Sequence, residues 1–295
     1  MTGQCDPRRE TAASLARMMI GGELPRPVHR APRAGAPALV VDALDLAADD
    51  PFGTSLTKVS LTVHAGEIVG IAGVSGNGQK ELLAALSGEC EIERAQAITL
   101  LGQPAGRLDP RARRAQGLAF IPEDRLGRGA VPEMSLAENV LLTTRIAPLV
   151  ERGFVRATQV RARAQRTIAQ FAVKAAGVDA PAQSLSGGNL QKFIVGREIE
   201  RAPKVLIAAQ PTWGVDVGAA AQIRQTLLDL RDRGVAVLVI SEDLDELLEI
   251  CDRLAVIAQG RLSLAKPIRE TSAEEIGQLM AGVATHAEPE AVTAK

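Results

Sequence analysis

A strand that runs into a glycine-rich loop and from there directly into a helix leaves a chain few folds to choose from. Glu67–Ala72 is a short apolar run of buried-strand character, Gly73-Val-Ser-Gly-Asn-Gly-Gln-Lys80 follows, and Glu81–Leu86 continues with helical spacing. Small residues at such a junction let backbone N–H groups come close to an anion, and the helix N-terminus behind them favours negative charge. The unit is the phosphate-cradling context of an α/β sheet. It makes Gly73, Ser75, Gly76, Asn77, Gly78, Gln79 and Lys80 candidate binding residues. A glycine-rich loop alone is weak evidence; here both flanks are of the required kind.

Further apolar runs fit the same sheet. Ala38–Leu46 has strand character, and Val59–Val63 alternates as a half-buried strand does. Gly117–Ile121, ending at Pro122, and Lys204–Ala209, Gly234–Ile240 and Arg253–Ile257 read as strands buried in a core. Residues 133–182 read as helical, with Glu133–Thr143 after Pro132 and then Thr158–Ala176, whose outer face is rich in arginine. The basic stretches 107–114 and 161–166 admit two readings, a nucleic-acid surface or a solvated helix face; interleaving with Ala and Gln favours the second. A net charge of −1 offers no bulk attraction to nucleic acid, and the absence of Tyr speaks against stacking on bases. The three cysteines are scattered and odd in number, which fits a reducing compartment without a disulfide framework, and no metal-ligand spacing occurs. No apolar run approaches the ~18–20 residues that span a bilayer, and no basic-then-apolar leader opens the sequence.

Residues 185–199 hold a second small-residue helix start: Leu185-Ser-Gly-Gly-Asn-Leu-Gln-Lys192, with Leu190, Phe193, Ile194 and Ile199 on the later face. Ser-Gly-Gly alone is equally an ordinary N-cap. The longer string resembles the signature motif of ATP-binding cassette (ABC) ATPases, in the variant found in importers of simple sugars and nucleosides. The other landmarks of that family follow in order: the phosphate loop at Gly73–Lys80, a Q-loop-like segment at Gly117–Arg125 with Glu123 where glutamine is usual, a Walker B-like strand at Lys204–Thr212, a D-loop at Trp213–Asp216, and a switch position at Glu242. The resemblance implies a P-loop NTPase (RecA-like) α/β fold with an antiparallel β edge and an inserted helical subdomain. It also implies ATP and Mg²⁺ as cofactors and Ser186, Gly187, Gly188, Asn189, Gln191 and Asp216 as further nucleotide-contacting residues.

This sequence departs from the family pattern at its chemical positions. Gln79 stands where lysine would meet the β- and γ-phosphates, and Lys80 replaces the hydroxyl that would hold Mg²⁺. A shift of one residue turns a side chain ~100° around a helix, so Lys80 is no simple substitute. Ala209 and Gln210 replace an aspartate that would organise Mg²⁺ and a glutamate that would polarise water, and Glu242 replaces the switch histidine. Loss of a positioned general base alone is worth ~10²–10⁴ in rate. The expectation is a site of the chain's own that binds nucleotide weakly or without metal and hydrolyses it poorly. ABC cassettes pair head to tail, so the intact signature would complete a partner cassette's ATP site. A decaying gene copy is the competing explanation, and it does not account for an intact signature beside altered catalytic positions.

Residues 11–21 and 272–282 match position for position, Leu15 with Ile276, Met18 with Leu279, Met19 with Met280 and Gly21 with Gly282. Chance similarity of two small amphipathic helices is one reading. The other is that 1–22 is the tail of a preceding cassette, 23–37 a Pro/Arg-rich linker, 38–282 one cassette with its helical subdomain near 133–200, and 283–295 a disordered tail. The chain would then be the C-terminal half of a two-cassette importer subunit. Its partners would be a first cassette, transmembrane permease subunits and, indirectly, a solute-binding protein, at the cytoplasmic face of the membrane. Two rivals stand beside this reading: a stand-alone nucleotide-binding pseudo-ATPase, and a soluble cassette acting on DNA or ribosomes.

Overall fold

The computed structural model of the chain describes residues 34–144 and 149–282. The helix expected at 11–21, most of the 23–37 linker, Cys5 and the 283–295 tail lie outside the described residues. The elements in chain order are β1 (Pro37–Leu46), β2 (Leu56–His64), β3 (Ile68–Ala72), α1 (Gln79–Ser87), β4 (Ile98–Leu100), β5 (Gln103–Pro104), α2 (Pro110–Ala115), β6 (Leu118–Ile121) and α3 (Leu136–Thr143). Then come β7 (Val150–Glu151), β8 (Phe154–Val155), α4 (Ala157–Gln170), α5 (Gly187–Ile199), β9 (Val205–Ala209), α6 (Val217–Asp232), β10 (Ala236–Ser241), α7 (Leu244–Ile250), β11 (Arg253–Ala258), β12 (Arg261–Leu262), β13 (Lys266–Pro267) and α8 (Ala273–Met280).

Two sheets carry the fold. The larger runs β12-β11-β3-β10-β9-β6, with β13 also on β11; its central strands β11, β3, β10, β9 and β6 are mutually parallel. The smaller is antiparallel, in the order β2-β1-β4-β5. Every residue of β3, β6, β9 and β10 is buried, because both faces of the parallel sheet are covered. Alternate side chains serve two cores. Ile68, Ala119, Leu206, Val237 and Val239 face the helices with Leu190, Phe193, Ile194 and Leu227. Val69, Phe120, Ile207 and Leu238 face α1 and the antiparallel sheet, with Leu39, Leu61 and Leu82. The continuous apolar runs in the sequence have this two-sided burial as their cause.

The expected fold, a P-loop α/β core with an antiparallel edge and a helical insertion, is what the chain adopts. Local boundaries differ for identifiable reasons. The helix expected from Glu133 starts at Leu136, because Ser135 takes the N-cap and exchanges hydrogen bonds with Glu138 in a reciprocal capping box. The helix expected to reach Ala176 ends at Gln170. Phe171 turns inward against the bare backbone of Gly196 in α5, and Ala172 adopts a left-handed φ of 48°. Helix α6 had no counterpart in the sequence reading; Asp216 caps it by accepting from the Ala219 N–H at 2.9 Å.

Arg113 shows how the phosphate-loop helix is held from behind. Its guanidinium is fully buried and donates to the carbonyls of Ala85, Leu86, Leu108 and Gly106. Two of these are C-terminal carbonyls of α1 that the helix itself leaves unsatisfied. Burial pulls its pKa down to about 10, opposed only by the nearby Cys90.

Candidate functional site

Strands β3, β6, β9 and β10 end on one edge of the parallel sheet, the edge beyond which open α/β sheets bind ligands. The loops leaving them enclose a pocket of about 370 Å³. Of the residues singled out in the sequence, Gly73, Ser75, Gly76, Gln79, Lys80, Glu123, Ala209, Gln210 and Glu242 line it, together with the exposed Phe52. Asn77 and Gly78 belong to the same loop but work within it. Gly78 has a φ of 106°, and a β-carbon there would stand 2.9 Å from Leu56, so only glycine allows this start of α1. Asn77 receives the Gln259 N–H on its side-chain oxygen at 2.8 Å and the Gly260 N–H on its carbonyl at 3.0 Å, which ties the loop to the turn after β11.

Gln79 folds back on the loop. Its Nε2 donates to the Val74 carbonyl at 2.8 Å, and its Oε1 accepts the Asn77 N–H at 3.0 Å. One of the amides available to a phosphate is therefore engaged internally. Lys80 keeps its exposed ammonium at the pocket, so the one-residue displacement has moved the positive charge without removing it from the lining. Thr54, which the sequence reading passed over, reaches the loop from the β1–β2 connection: its hydroxyl donates to the Gly76 carbonyl at 2.6 Å.

The pocket is acidic. Asp50, Glu81, Glu123, Asp124 and Glu242 line it against Lys80 and Arg128. Burial raises the pKa of Glu123, the charges of Asp124 and Glu242 raise it further, and Arg128 opposes them. Glu242 thus lies close enough to Glu123 to disfavour its charge. At the end of β9, Ala209 is 1% exposed and offers no ligand atom, while Gln210 sits at a φ of 46°. Such a conformation costs on the order of 1–3 kcal/mol and must be held by its surroundings. The Gln210 N–H donates to the Ile240 carbonyl at 2.8 Å, and its side-chain oxygen accepts from the Ser241 hydroxyl at 3.2 Å and the Glu242 N–H at 3.3 Å. Among the described residues no group of three or more His, Cys, Asp or Glu is placed to hold a metal ion.

Glu246 organises the floor of this region and was missed in the sequence. It is 1% exposed, accepts from the Thr212 hydroxyl at 2.6 Å and from the Ser241 hydroxyl at 2.9 Å, and has the Arg224 guanidinium at 3.9 Å. Burial raises its pKa; the Thr212 and Ser241 hydrogen bonds pull the other way. It joins the segment after β9 to the end of β10. The Asp243-x-x-Glu246 spacing, which makes Asp243 the N-cap of α7, was the available signal.

The signature residues form a separate surface; none of Ser186, Gly187, Gly188, Asn189, Gln191 and Asp216 lines the pocket. Ser186 is the N-cap of α5, and its hydroxyl accepts from Asn189 Nδ2 at 2.8 Å without capping a backbone N–H. The first N–H groups of α5 are left without a side-chain cap, and Ser186 and Gly187 are exposed. The Arg125 guanidinium packs over Gly187, where a β-carbon would stand 2.7 Å from it. Gln191 is buried, accepts from Arg125 Nε at 3.3 Å and donates to the Pro211 carbonyl at 2.9 Å, holding the signature helix to the segment just after β9. Asp216 lies beside Gly188 and caps α6.

Comparison with known proteins supplies the remaining findings. The family model described as ABC transporter matches residues 56–213. The guanosine import ATP-binding protein NupO of Bacillus subtilis is 40% identical over 280 residues, covering 94% of this chain and 54% of that protein. The nucleoside import ATP-binding protein NupA of Lactococcus lactis is 40% identical over 275 residues, covering 92% and 54%. The glucose import ATP-binding protein TsgD13 of Haloferax volcanii is 39% identical over 277 residues, covering 92% and 50%. This chain thus spans about half the length of the curated relatives it matches. Among solved structures, a dimeric ATP-binding cassette in a post-hydrolysis state with ADP and Pi superposes with a TM-score of 0.67 at 20% identity, covering 79% of this chain and all of that one, which is a likeness of fold.

Proposed function

The chain belongs to the ABC transporter family, and from that premise we propose that it serves as an ATP-binding half of an importer for nucleosides or sugars, completing a partner cassette's ATP site. One observation carries the reading: the chain's two nucleotide-facing surfaces are chemically unequal. The signature surface keeps Ser186, the bare start of α5 and Asp216, exposed beside the Arg125 guanidinium. The pocket holds five carboxylates against two cations, has Ala209 and Lys80 where oxygen ligands for Mg²⁺ would stand, and binds its own loop amide through Gln79.

A backbone cradle at the start of α1 fits a phosphate; the charges around it do not fit Mg²⁺-ATP. Four negative phosphate charges gathered among Glu123, Asp124 and Glu242 would be repelled, and no positioned base stands at Gln210 to draw a proton from water. The signature surface has the opposite character. Uncapped N–H groups at a helix start, a serine hydroxyl that accepts from Asn189 and keeps its own proton to donate, and the positive end of a helix dipole stabilise a terminal phosphate supplied from across an interface. In this reading the chain contributes hydrogen-bond donors to its partner's reaction and performs little turnover at its own pocket. Its solute is chosen elsewhere in the assembly.

The test mixes the purified chain with the partner cassette of its transporter, one carrying an intact Gly-Lys-Ser/Thr loop, and follows phosphate release. The chain alone should turn over at least ~10²-fold more slowly than the mixture, the worth of one lost electrostatic stabiliser. Ser186→Arg should silence the mixture, and Gln210→Ala should leave it unchanged. Brisk Mg²⁺-dependent hydrolysis by the chain alone would refute the division of labour, and indifference of the mixture to Ser186→Arg would refute the signature's role.

A further inference from the structure

On the far side of the Phe120–Pro122 wall from the acidic pocket lies a second, smaller cavity of about 90 Å³. Its electrostatics are inverted. Arg114, Arg128 and Arg197 line it, with Glu89 as the only carboxylate among its lining residues, and Thr143 and Gly129 complete its polar side. Glu198, fully buried behind it, accepts from Arg114 at 2.6 Å and pairs with Arg197 at 3.0 Å, so one carboxylate serves two guanidiniums. Arg201 stands within electrostatic reach of the same carboxylate, and its Nη1 is buried without a partner. Arg163 belongs to the same basic cluster and is paired with Glu200 at 3.2 Å. Burial lowers the pKa of Arg197 and of Arg201; the Glu198 carboxylate opposes this in both, and the neighbouring arginines lower both further.

The donors are not exhausted by these pairs. Arg114 engages Glu198 through Nη1, and Arg128 engages Glu89 through Nη2, which leaves several N–H groups of each fork to be satisfied. The Thr143 hydroxyl is buried and has no hydrogen-bond partner. Buried polar atoms are ordinarily paired, so an orphaned hydroxyl on the wall of a cationic cavity calls for a ligand that accepts hydrogen bonds. At about 90 Å³, against about 370 Å³ for the pocket beyond the wall, the space suits a compact anion. Planar guanidinium forks select oxyanions with two acceptor oxygens in reach.

We propose that this cavity, between the β6 end and the C-terminal turn of α3, is a binding site for a phosphate-type oxyanion, held by Arg114, Arg128 and Thr143 in front of the Arg197–Glu198 pair. The inference stands apart from the proposed transport role and uses none of the nucleotide-contacting residues except that Arg128 borders both cavities. An anion here would fix the Pro122–Gly129 loop against α3 and hold Arg128 on the basic side of the wall.

The probe is inorganic phosphate, with binding to the full chain followed by equilibrium dialysis of labelled phosphate at constant ionic strength, and by thermal shift. Saturable binding should be competed by sulfate and not by chloride or acetate. Arg128→Gln, an exposed position, should weaken it about tenfold, as expected for one lost charge-assisted contact. Thr143→Val, which keeps the shape and removes the orphaned hydroxyl, should weaken phosphate binding severalfold while leaving the phosphate-free protein at least as stable. Lys80→Gln should leave it unchanged. Three results would overturn the assignment: no saturable binding, binding indifferent to both Arg128→Gln and Thr143→Val, or binding lost in Lys80→Gln, which would place the ion at the glycine loop. Competition by acetate as strong as by sulfate would also overturn it, pointing to a carboxylate of a protein partner.

Discussion

Replacing Glu246 by leucine tests how the end of β10 is fastened to the segment that follows β9. The wild-type carboxyl receives the Thr212 hydroxyl at 2.6 Å and the Ser241 hydroxyl at 2.9 Å. Both hydroxyls sit on nearly buried residues, Thr212 at 8% and Ser241 at 2% exposure. Leucine orphans the Thr212 hydroxyl, at ~1–3 kcal/mol for a buried group left unsatisfied, while the Ser241 hydroxyl keeps the Gln210 side-chain oxygen at 3.2 Å. Removing a carboxyl that burial already penalises returns part of this. The net loss works out at about 2 kcal/mol, a fall in Tm of roughly 4–8 °C at ~2–4 °C per kcal/mol for a domain of this size. Glu246→Gln, which keeps one oxygen for one hydroxyl, should lose about 1 kcal/mol. The pH dependence has a definite sign. A carboxyl whose folded pKa is raised binds its proton more tightly when folded, so its contribution favours folding below the unfolded pKa and declines as pH rises from there through the raised folded value. Glu246→Gln should therefore flatten the wild type's stability loss above about pH 4.5. Urea unfolding followed by circular dichroism between pH 4 and 8 reads both effects. A leucine variant within about 1 kcal/mol of wild type, or a glutamine variant with an unaltered pH slope, would refute the clamp.

Arg113→Met should cost about 3–5 kcal/mol, because four carbonyls lose a buried donor that closes the C-terminal end of α1; a change below 1 kcal/mol in chemical denaturation would show that water takes its place. Ala202→Gly should stabilise by about 0.5–1 kcal/mol, since Ala202 holds a left-handed φ of 50° just after α5 and carries no polar side chain; a lower Tm would count against relief of strain at that turn.

The residues of the candidate site were legible in the sequence because each sits at a strand end or helix start that local pattern marks. Gly73–Lys80 follows an apolar run, Gln210 and Glu242 close two more, and Ser186–Gly188 opens a helix. The roles of Glu246 and Thr54 were not legible, although the Asp243-x-x-Glu246 spacing marks the start of α7. Each acts through a contact with a residue distant in sequence, Thr212 for one and Gly76 for the other, and no local spacing records such a partner. Lys80 follows Gln79 by one position, and its side chain still borders the pocket, because a long flexible side chain at a helix start covers more space than a rotation by one residue removes.

What the sequence determined by itself was the order of apolar runs and turn residues, and with it the parallel sheet, the glycine loop and the uncharged side chains at Gln79, Ala209 and Gln210. Composition and periodicity are local, and a strand buried on both faces announces itself by an unbroken apolar run. Only the tertiary structure decided the sign of each cavity. Carboxylates from the β1–β2 connection, α1, the loop after β6 and the end of β10 converge on one side of Phe120, and arginines from α2, the loop after β6 and α5 converge on the other. Charge in a pocket is a sum over residues that only folding brings within a few ångströms of one another, and a chain with a net charge of −1 gives no hint of either excess.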